Sequence, residues 1–227
     1  MMRLAGFDRV LGRKLHAFDS AWLAQMLARY PQVALDIGTG DGRYVLDLAR
    51  NEPDLLCLGI DPVAEAMETS SRVSSAKRGG CPNAIFMRSS LEQLPGPLEG
   101  IADRLSVNYP WGSLLAAVAR AERRAMAQLR ATCKVGATVS IYLNFSVFED
   151  RSYSDRLGLG GALEFLSSGT FVEAFAASGF TVVAHRLFEG DPPFRSAWGR
   201  QLVRNSGRRS MHIEARACSV TPAVKGE

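Results

Sequence analysis

Short apolar segments alternate with helical segments along most of this chain, and this alternation is the strongest constraint on its fold. The predicted strands cover residues 33–37, 55–60, 84–88, 103–107 and 137–144. The predicted helices cover residues 21–30, 43–50, 64–75 and 113–131. Apolar strands that alternate with helices are typical of a parallel sheet covered on both faces. We therefore expect an α/β fold around a mostly parallel sheet.

The last third of the chain is less regular. A helix over 168–178 and strands over 180–188 and 210–218 are predicted, but residues 145–167 and 189–209 show no clear pattern. Loops of such length in a compact domain are usually functional or disordered. No boundary between domains is evident, so we predict one domain over residues 1–227, with an N-terminal extension over about 1–31.

Composition narrows the class of protein. The apolar share of 47% and the charged share of 22% are those of a soluble globular protein, and no apolar run approaches the ~20 residues of a membrane span. The start of the chain lacks the pattern of a secretory signal. The four cysteines show no metal-ligand spacing, so we expect a cytoplasmic protein with reduced thiols, no metal site and no membrane contact.

Basic residues are clustered, although the net charge is only +4. Five arginines and no acidic residue lie between residues 194 and 210. Two further clusters are Arg72, Lys77 and Arg78, and Arg9, Arg13 and Lys14. A single cluster of this kind is usually a solvated face, but three in a chain of pI 9.0 favour a polyanionic partner.

The sequence "LDIGTGDG" (35–42) predicts a ligand site at the end of the first apolar strand. Gly38, Gly40 and Gly42 permit a tight turn and close approach of a ligand to the backbone. Dinucleotide oxidoreductases share such turns, but their spacing is GxGxxG and the spacing here is GxGxG. A carboxylate at Asp36 would oppose a pyrophosphate, whereas it suits the ammonium and sulfonium groups of S-adenosylmethionine. Asp61, which ends the next strand, is placed either to accept both ribose hydroxyls or to act as an N-cap.

Two later segments extend this site. "SSLEQLP" (89–95) follows the third strand, where Leu91 and Glu92 are expected to flank an adenine ring. "NYPWGSLL" (108–115) follows the fourth strand, and its proline cannot continue a central strand. Trp111 would then be displayed beside the ligand, and Trp198 lies in the arginine-rich segment. Two such rings could hold an unpaired base between them, although each could instead be a core residue.

These segments, together with "SAWGRQL…GRRS" (196–210), resemble the aminoglycoside-resistance 16S ribosomal RNA adenine N1-methyltransferases. The resemblance implies a class I S-adenosylmethionine-dependent methyltransferase (Rossmann-like) fold, with a mostly parallel seven-stranded sheet whose last strand is antiparallel. It implies methylation of N1 of adenine 1408 of 16S rRNA in the assembled 30S subunit, with resistance to aminoglycosides. The expected assembly is a monomer.

The resemblance also assigns roles to residues. Trp111 and Trp198 would stack on the target base. The implied cofactor-binding residues are Asp36, Gly38, Thr39, Gly40, Asp61, Pro62, Leu91, Glu92, Asn108, Tyr109, Pro110, Trp111, Gly112, Ser113, Ser196, Ala197 and Trp198. The implied RNA-binding residues are Lys77, Arg78, Arg200, Arg204, Arg208 and Arg209.

No catalytic acid or base is expected, because adenine N1 carries an unprotonated lone pair at neutral pH and positioning supplies most of the catalysis. Three alternatives stay open at this point. "NYPW" loosely resembles the Asn-Pro-Pro-aromatic motif of N6-adenine methyltransferases. A non-catalytic RNA-binding protein could use the same fold, and a nucleotide-dependent oxidoreductase could use the glycine-rich turn.

Overall fold

The computed structural model describes residues 7–94, 96–190 and 209–219. The strands are β1 (Asp8–Leu11), β2 (Lys14–Ala17), β3 (Gln32–Ile37), β4 (Leu55–Asp61), β5 (Ala84–Arg88), β6 (Ala102–Asn108), β7 (Cys133–Asn144), β8 (Phe180–Glu189) and β9 (Arg209–Ala217). The helices are α1 (Ser20–Leu27), α2 (Arg43–Asn51), α3 (Glu68–Ser74), α4 (Gly112–Ala119), α5 (Arg123–Thr132), α6 (Ser146–Glu149), α7 (Arg151–Arg156), α8 (Ala162–Leu166) and α9 (Gly169–Ala177).

All nine of these strands form one sheet, in the order β2-β1-β5-β4-β3-β6-β7-β9-β8. The five strands β5, β4, β3, β6 and β7 are parallel, so their carboxyl ends meet at one edge. The last strand, β9, is antiparallel to both β7 and β8. The predicted α/β class and the antiparallel last strand are therefore confirmed. The prediction of a mostly parallel sheet is wrong, because four of the eight strand pairings are antiparallel and the sheet is mixed.

The predicted number of seven strands is wrong, because the N-terminal extension contains a hairpin. β1 pairs with β2 and also with β5, antiparallel in both cases, and so lengthens the sheet at one edge. Gly12 turns the hairpin with a φ of +58° and donates its N–H to the hydroxyl of Ser71 at 2.9 Å. Every residue of β2 is exposed, and at four residues the strand is too short for its sequence pattern to predict it.

The single helix predicted over 113–131 is wrong as well, because α4 and α5 are separate helices. Ala121 lies between them with a φ of +48°, which few non-glycine residues adopt, and it is buried. No glycine or proline marks the break in the sequence. Residues 145–167, which showed no pattern, contain the short helices α6, α7 and α8.

The core lies on both faces of the sheet, where helices cover the parallel strands. Leu35, Leu56 and Leu58 are fully buried, and burying such a side chain stabilises the fold by ~1.5–3 kcal/mol. The thiols of all four cysteines are free, and only that of Cys218 is partly exposed. Among the described residues, no helix has the length and apolar character needed to cross a membrane.

Candidate cofactor and acceptor site

A cavity of about 500 Å³ lies beyond the carboxyl ends of β3, β4, β5 and β6. Many of the residues expected to bind a cofactor line this cavity. They are Asp36, Gly38, Thr39, Gly40, Asp61, Pro62, Leu91, Glu92, Asn108, Tyr109, Pro110, Trp111 and Ser113. Gly112 is described but does not belong to the lining, and Ser196, Ala197 and Trp198 lie outside the described residues.

The glycine-rich turn after β3 packs tightly against the rest of the sheet. Gly38 and Thr39 donate their N–H groups to the carbonyl of Ile60 on the neighbouring strand, at 2.8 and 3.0 Å. A Cβ atom at Gly38 would lie 2.7 Å from the Leu114 side chain, and its φ is +75°. Only glycine fits this position without strain, and the turn therefore presents bare backbone to the cavity.

Asp36 is a buried carboxyl group at the floor of the cavity. Its Oδ1 accepts hydrogen bonds from the Ser106 hydroxyl at 2.6 Å and from the Asn108 amide at 2.9 Å. Burial raises the pKa of Asp36 to about 6, although hydrogen bonding by Ser106, Thr39 and Asn108 opposes this rise. A cation bound beside this carboxylate would favour its charged form, so the site is suited to a positively charged ligand.

Asp61 ends β4 and holds the two backbone segments that frame the cavity. Its Oδ2 accepts from the N–H of Gly40 and its Oδ1 from the N–H of Val63, each at 2.9 Å. Burial raises the pKa of Asp61, and the two backbone hydrogen bonds lower it. Each carboxylate oxygen can accept more than one hydrogen bond, so a structural role and binding of ribose hydroxyls are compatible here.

The donor set fits S-adenosylmethionine better than a dinucleotide. Asp36, beside the glycine-rich turn, would repel a pyrophosphate and attract an ammonium, and Asp61, which ends the adjacent strand, is placed to accept from ribose hydroxyls. Leu91, which is buried, adds an apolar wall, and the exposed Glu92 lies at the rim.

The chain turns sharply after β6, and this turn places Trp111 at the cavity. Tyr109 has a φ of +50° and is buried, with its hydroxyl 2.9 Å from the Ser210 hydroxyl and its N–H donated to Tyr142. Such a conformation costs ~1–3 kcal/mol and persists where the surroundings fix it, often at functional sites. The Trp111 side chain lies on the cavity wall and is 37% exposed, so it is not a core residue.

Several residues of the site were not predicted from the sequence. The additional lining residues are Ile37, Asp41, Tyr44, Val63, Ala66, Ser89, Ser90 and Leu114. Ser89 and Ser90 could have been found, because they directly follow β5, as Asp61 ends β4. Tyr44 and Ser106 could not be found in this way, because neither directly follows a predicted strand. Ser106 reaches Asp36 only because β3 pairs with β6 in the register that sets these residues side by side.

The expected RNA-binding residues are separated in the fold. Lys77 and Arg78 are exposed in the turn that follows α3. Arg209 begins β9, where its guanidinium pairs with Glu149 and lies 4.7 Å from the centre of the Phe145 ring. Arg200, Arg204 and Arg208 lie outside the described residues.

Comparison with known proteins identifies the family of this chain. The family model described as NpmA, 16S rRNA (adenine(1408)-N(1))-methyltransferase, matches residues 8–217. A protein of that name from Streptoalloteichus tenebrarius is 36% identical over 138 residues, or 60% of this chain and 63% of that protein. The chain thus aligns with less than two thirds of that relative's length.

Solved structures agree with this match. The aminoglycoside resistance methyltransferase NpmB1 has a TM-score of 0.81 and 31% identity, covering 93% of this chain and 99% of its own. A tryptophan variant of the 16S rRNA (adenine(1408)-N(1))-methyltransferase from Catenulisporales acidiphilia, solved with its cosubstrate SAM, has a TM-score of 0.79 and 26% identity, covering 96% and 100%. The predicted family is confirmed: this chain belongs to the 16S rRNA (adenine(1408)-N(1))-methyltransferase family.

Proposed function

We propose that this protein transfers a methyl group from S-adenosylmethionine to N1 of adenine 1408 of 16S rRNA, in the assembled 30S subunit, and thereby confers aminoglycoside resistance. The observation that carries the proposal is the family match over residues 8–217, in which the carboxyl groups of Asp36 and Asp61 and the ring of Trp111 line one cavity. We further propose that it acts as a monomer in the cytoplasm.

The first task of the chain is to hold the cofactor. S-adenosylmethionine supplies a methyl group on a cationic sulfonium, which a nitrogen lone pair can take while the sulfur leaves as a neutral thioether. Asp36 would attract the cationic methionine end, and Asp61 would accept from the ribose hydroxyls. Leu91 and Glu92 lie on the cavity wall after β5, where they would flank the adenine ring.

The second task is to position the target adenine. Its N1 needs no general base, so correct placement is the main contribution of the protein. Trp111 provides a ring at the cavity, and stacking on a base is worth ~1–3 kcal/mol. The methylated adenine carries a positive charge, which an aromatic face would stabilise by ~0.5–2 kcal/mol. Trp198 would supply the second ring.

The third task is to bind the subunit, and basic residues would do so through phosphates. The proposed set is Lys77, Arg78, Arg200, Arg204, Arg208 and Arg209. Lys77 and Arg78 are exposed and free to meet RNA. The Arg209 guanidinium is paired with Glu149, and its remaining N–H groups would bind a phosphate.

The alternatives are less well supported. An N6-adenine methyltransferase with the Asn-Pro-Pro-aromatic motif would have a proline at residue 109, where this chain has Tyr109. The family match names N1 as the methylated atom. A non-catalytic RNA-binding protein would not need the two cavity carboxyl groups, and an oxidoreductase would need a cavity suited to a pyrophosphate.

Primer extension tests the proposal directly. Small subunits are incubated with the protein and S-adenosylmethionine, and reverse transcriptase is then run across the decoding site. Methylation at N1 blocks base pairing, so we expect a stop at adenine 1408 that requires the cofactor and is lost in Asp36→Ala. Methylation at N6 would let the polymerase pass. A subunit that carries new methyl groups without a stop at this position would contradict the proposal.

A further inference from the structure

A tyrosine from the segment after β7 reaches across to Trp111. Tyr153 lies on α7, and its ring centre is 5.4 Å from that of Trp111, with the two planes at 74°. Its hydroxyl accepts a hydrogen bond at 3.3 Å from the N–H of Gly112, the first residue of α4. One side chain therefore contacts both the indole and the backbone next to it.

This contact limits the rotamers that the partly exposed indole can adopt. Trp111 is 37% exposed, so the rest of the protein restricts its rotamers less than it would in a core. Aromatic pairs with centres 4.5–7 Å apart attract one another, and edge-to-face arrangements are favoured. The contact with Tyr153 therefore restrains the indole.

Tyr153 is itself held in place by the start of its helix. Asp150 caps α7, and its Oδ1 accepts from the Tyr153 N–H at 3.2 Å and from the Ser152 hydroxyl at 2.9 Å. These hydrogen bonds lower the pKa of Asp150, so it is ionised at neutral pH. The Arg156 guanidinium lies 5.4 Å from the centre of the Tyr153 ring. The tyrosine is thus anchored from both ends of its helix.

We propose that Tyr153 is a positioning residue for methyl transfer, which holds the indole of Trp111 at the angle that brings the target adenine to the methyl group. The proposal rests on the proposed stacking role of Trp111. The segment between β7 and β8 brings Tyr153 to the residues that follow β6. Tyr153 needs no contact with the adenine or the cofactor for this role.

Single-turnover methylation of 30S subunits, with Tyr153→Ala compared with Tyr153→Phe, is the test. A misplacement of ~1 Å can cost ~100-fold in rate, so we expect the alanine variant to lose at least tenfold. Phenylalanine keeps the ring and should retain the rate within about threefold. The dissociation constants for S-adenosylmethionine and for subunits should stay within twofold in both variants. Tyr30→Ala, which removes another partly buried tyrosine, is the matched control and should methylate normally.

A double mutant separates positioning from a general loss of structure. If Tyr153 acts through Trp111, then Tyr153→Ala should cause no further loss in a Trp111→Ala background, because the two effects are not additive. Additive losses would overturn the proposal, as would a normal rate in Tyr153→Ala. If Tyr153→Ala does not fold, Tyr153→Leu, which fills the space without a ring, replaces it. The same loss of at least tenfold in the methylation rate is then expected. A normal rate in Trp111→Ala would refute the stacking role itself, and the role of Tyr153 with it.

Discussion

Replacing Asp36 with asparagine should stabilise the ligand-free protein at neutral and alkaline pH while weakening its binding of S-adenosylmethionine. Burial raises the pKa of Asp36 to about 6, whereas in the unfolded chain the carboxyl has its ordinary pKa of ~3.9. Between these values the folded state binds more protons than the unfolded state. Stability contributed by this group is therefore complete below the lower pKa and is lost as the pH rises through the higher one.

The size of this effect follows from the two pKa values. A difference of about two units corresponds to ~3 kcal/mol of unfolding free energy lost by pH 8, at ~1.4 kcal/mol per unit. About half of this loss falls between pH 5 and pH 8, because the folded pKa lies inside that interval. Asparagine does not titrate, and it keeps an oxygen that accepts from Ser106 and Asn108. The variant should therefore gain ~1–3 kcal/mol over the wild type at pH 8, and less at pH 5.

Urea unfolding of both proteins at pH 5 and pH 8 measures this difference, and calorimetry at pH 8 measures cofactor affinity. We expect affinity to fall at least tenfold, because the variant lacks the charge that we propose attracts the methionine ammonium. Asp47→Asn, which alters a partly exposed carboxylate paired with Arg50, is the control and should not be more stable than the wild type at pH 8. An Asp36→Asn protein that is less stable than the wild type at pH 8 would refute the argument from burial. Undiminished affinity would refute the cofactor role.

Asp61→Asn keeps an oxygen acceptor but loses its charge, so calorimetry should show S-adenosylmethionine affinity reduced about tenfold, or ~1.4 kcal/mol. Lys77→Glu should weaken subunit binding and reduce the salt dependence of the binding constant by at least about one phosphate contact, whereas Arg29→Glu, between α1 and β3, should change neither. Gly42→Ala should lower the melting temperature, because its Cβ would lie 2.4 Å from Phe86 and its φ is +73°.

The centre of the fold could be predicted from the sequence because its strands are apolar and sharply bounded. The strand predicted over 84–88 has the same bounds in the structure, and the strand predicted over 33–37 differs by one residue. The hairpin of β1 and β2 could not be predicted, because each strand has only four residues and β2 buries none of them. The break at Ala121 could not be predicted either, since an alanine takes a positive φ only where packing imposes it.

The site could be predicted to the extent that it depends on strand ends. Asp36, Asp61 and Asn108 occupy adjacent strands, so a parallel sheet brings them together whatever the details of packing. The position of Ser106 beside Asp36 depends on strand register. The position of Tyr153 beside Trp111 depends on the path of the long connection between β7 and β8. Neither property can be read from local sequence, and both residues contact predicted site residues without belonging to a motif.

Asn108, the last residue of β6, and Tyr109, which follows it, explain how the chain leaves the sheet after β6. The Asn108 amide donates to Asp36 on β3, while the Tyr109 hydroxyl lies 2.9 Å from the Ser210 hydroxyl on β9. These two anchors fix the backbone on both sides, and the positive φ of Tyr109 then directs the chain out of the sheet. The backbone just before Trp111 is therefore held in place, and Tyr153 contacts the Trp111 ring. The strain at Tyr109 is thus the means by which a buried strand delivers an exposed aromatic ring to the cavity.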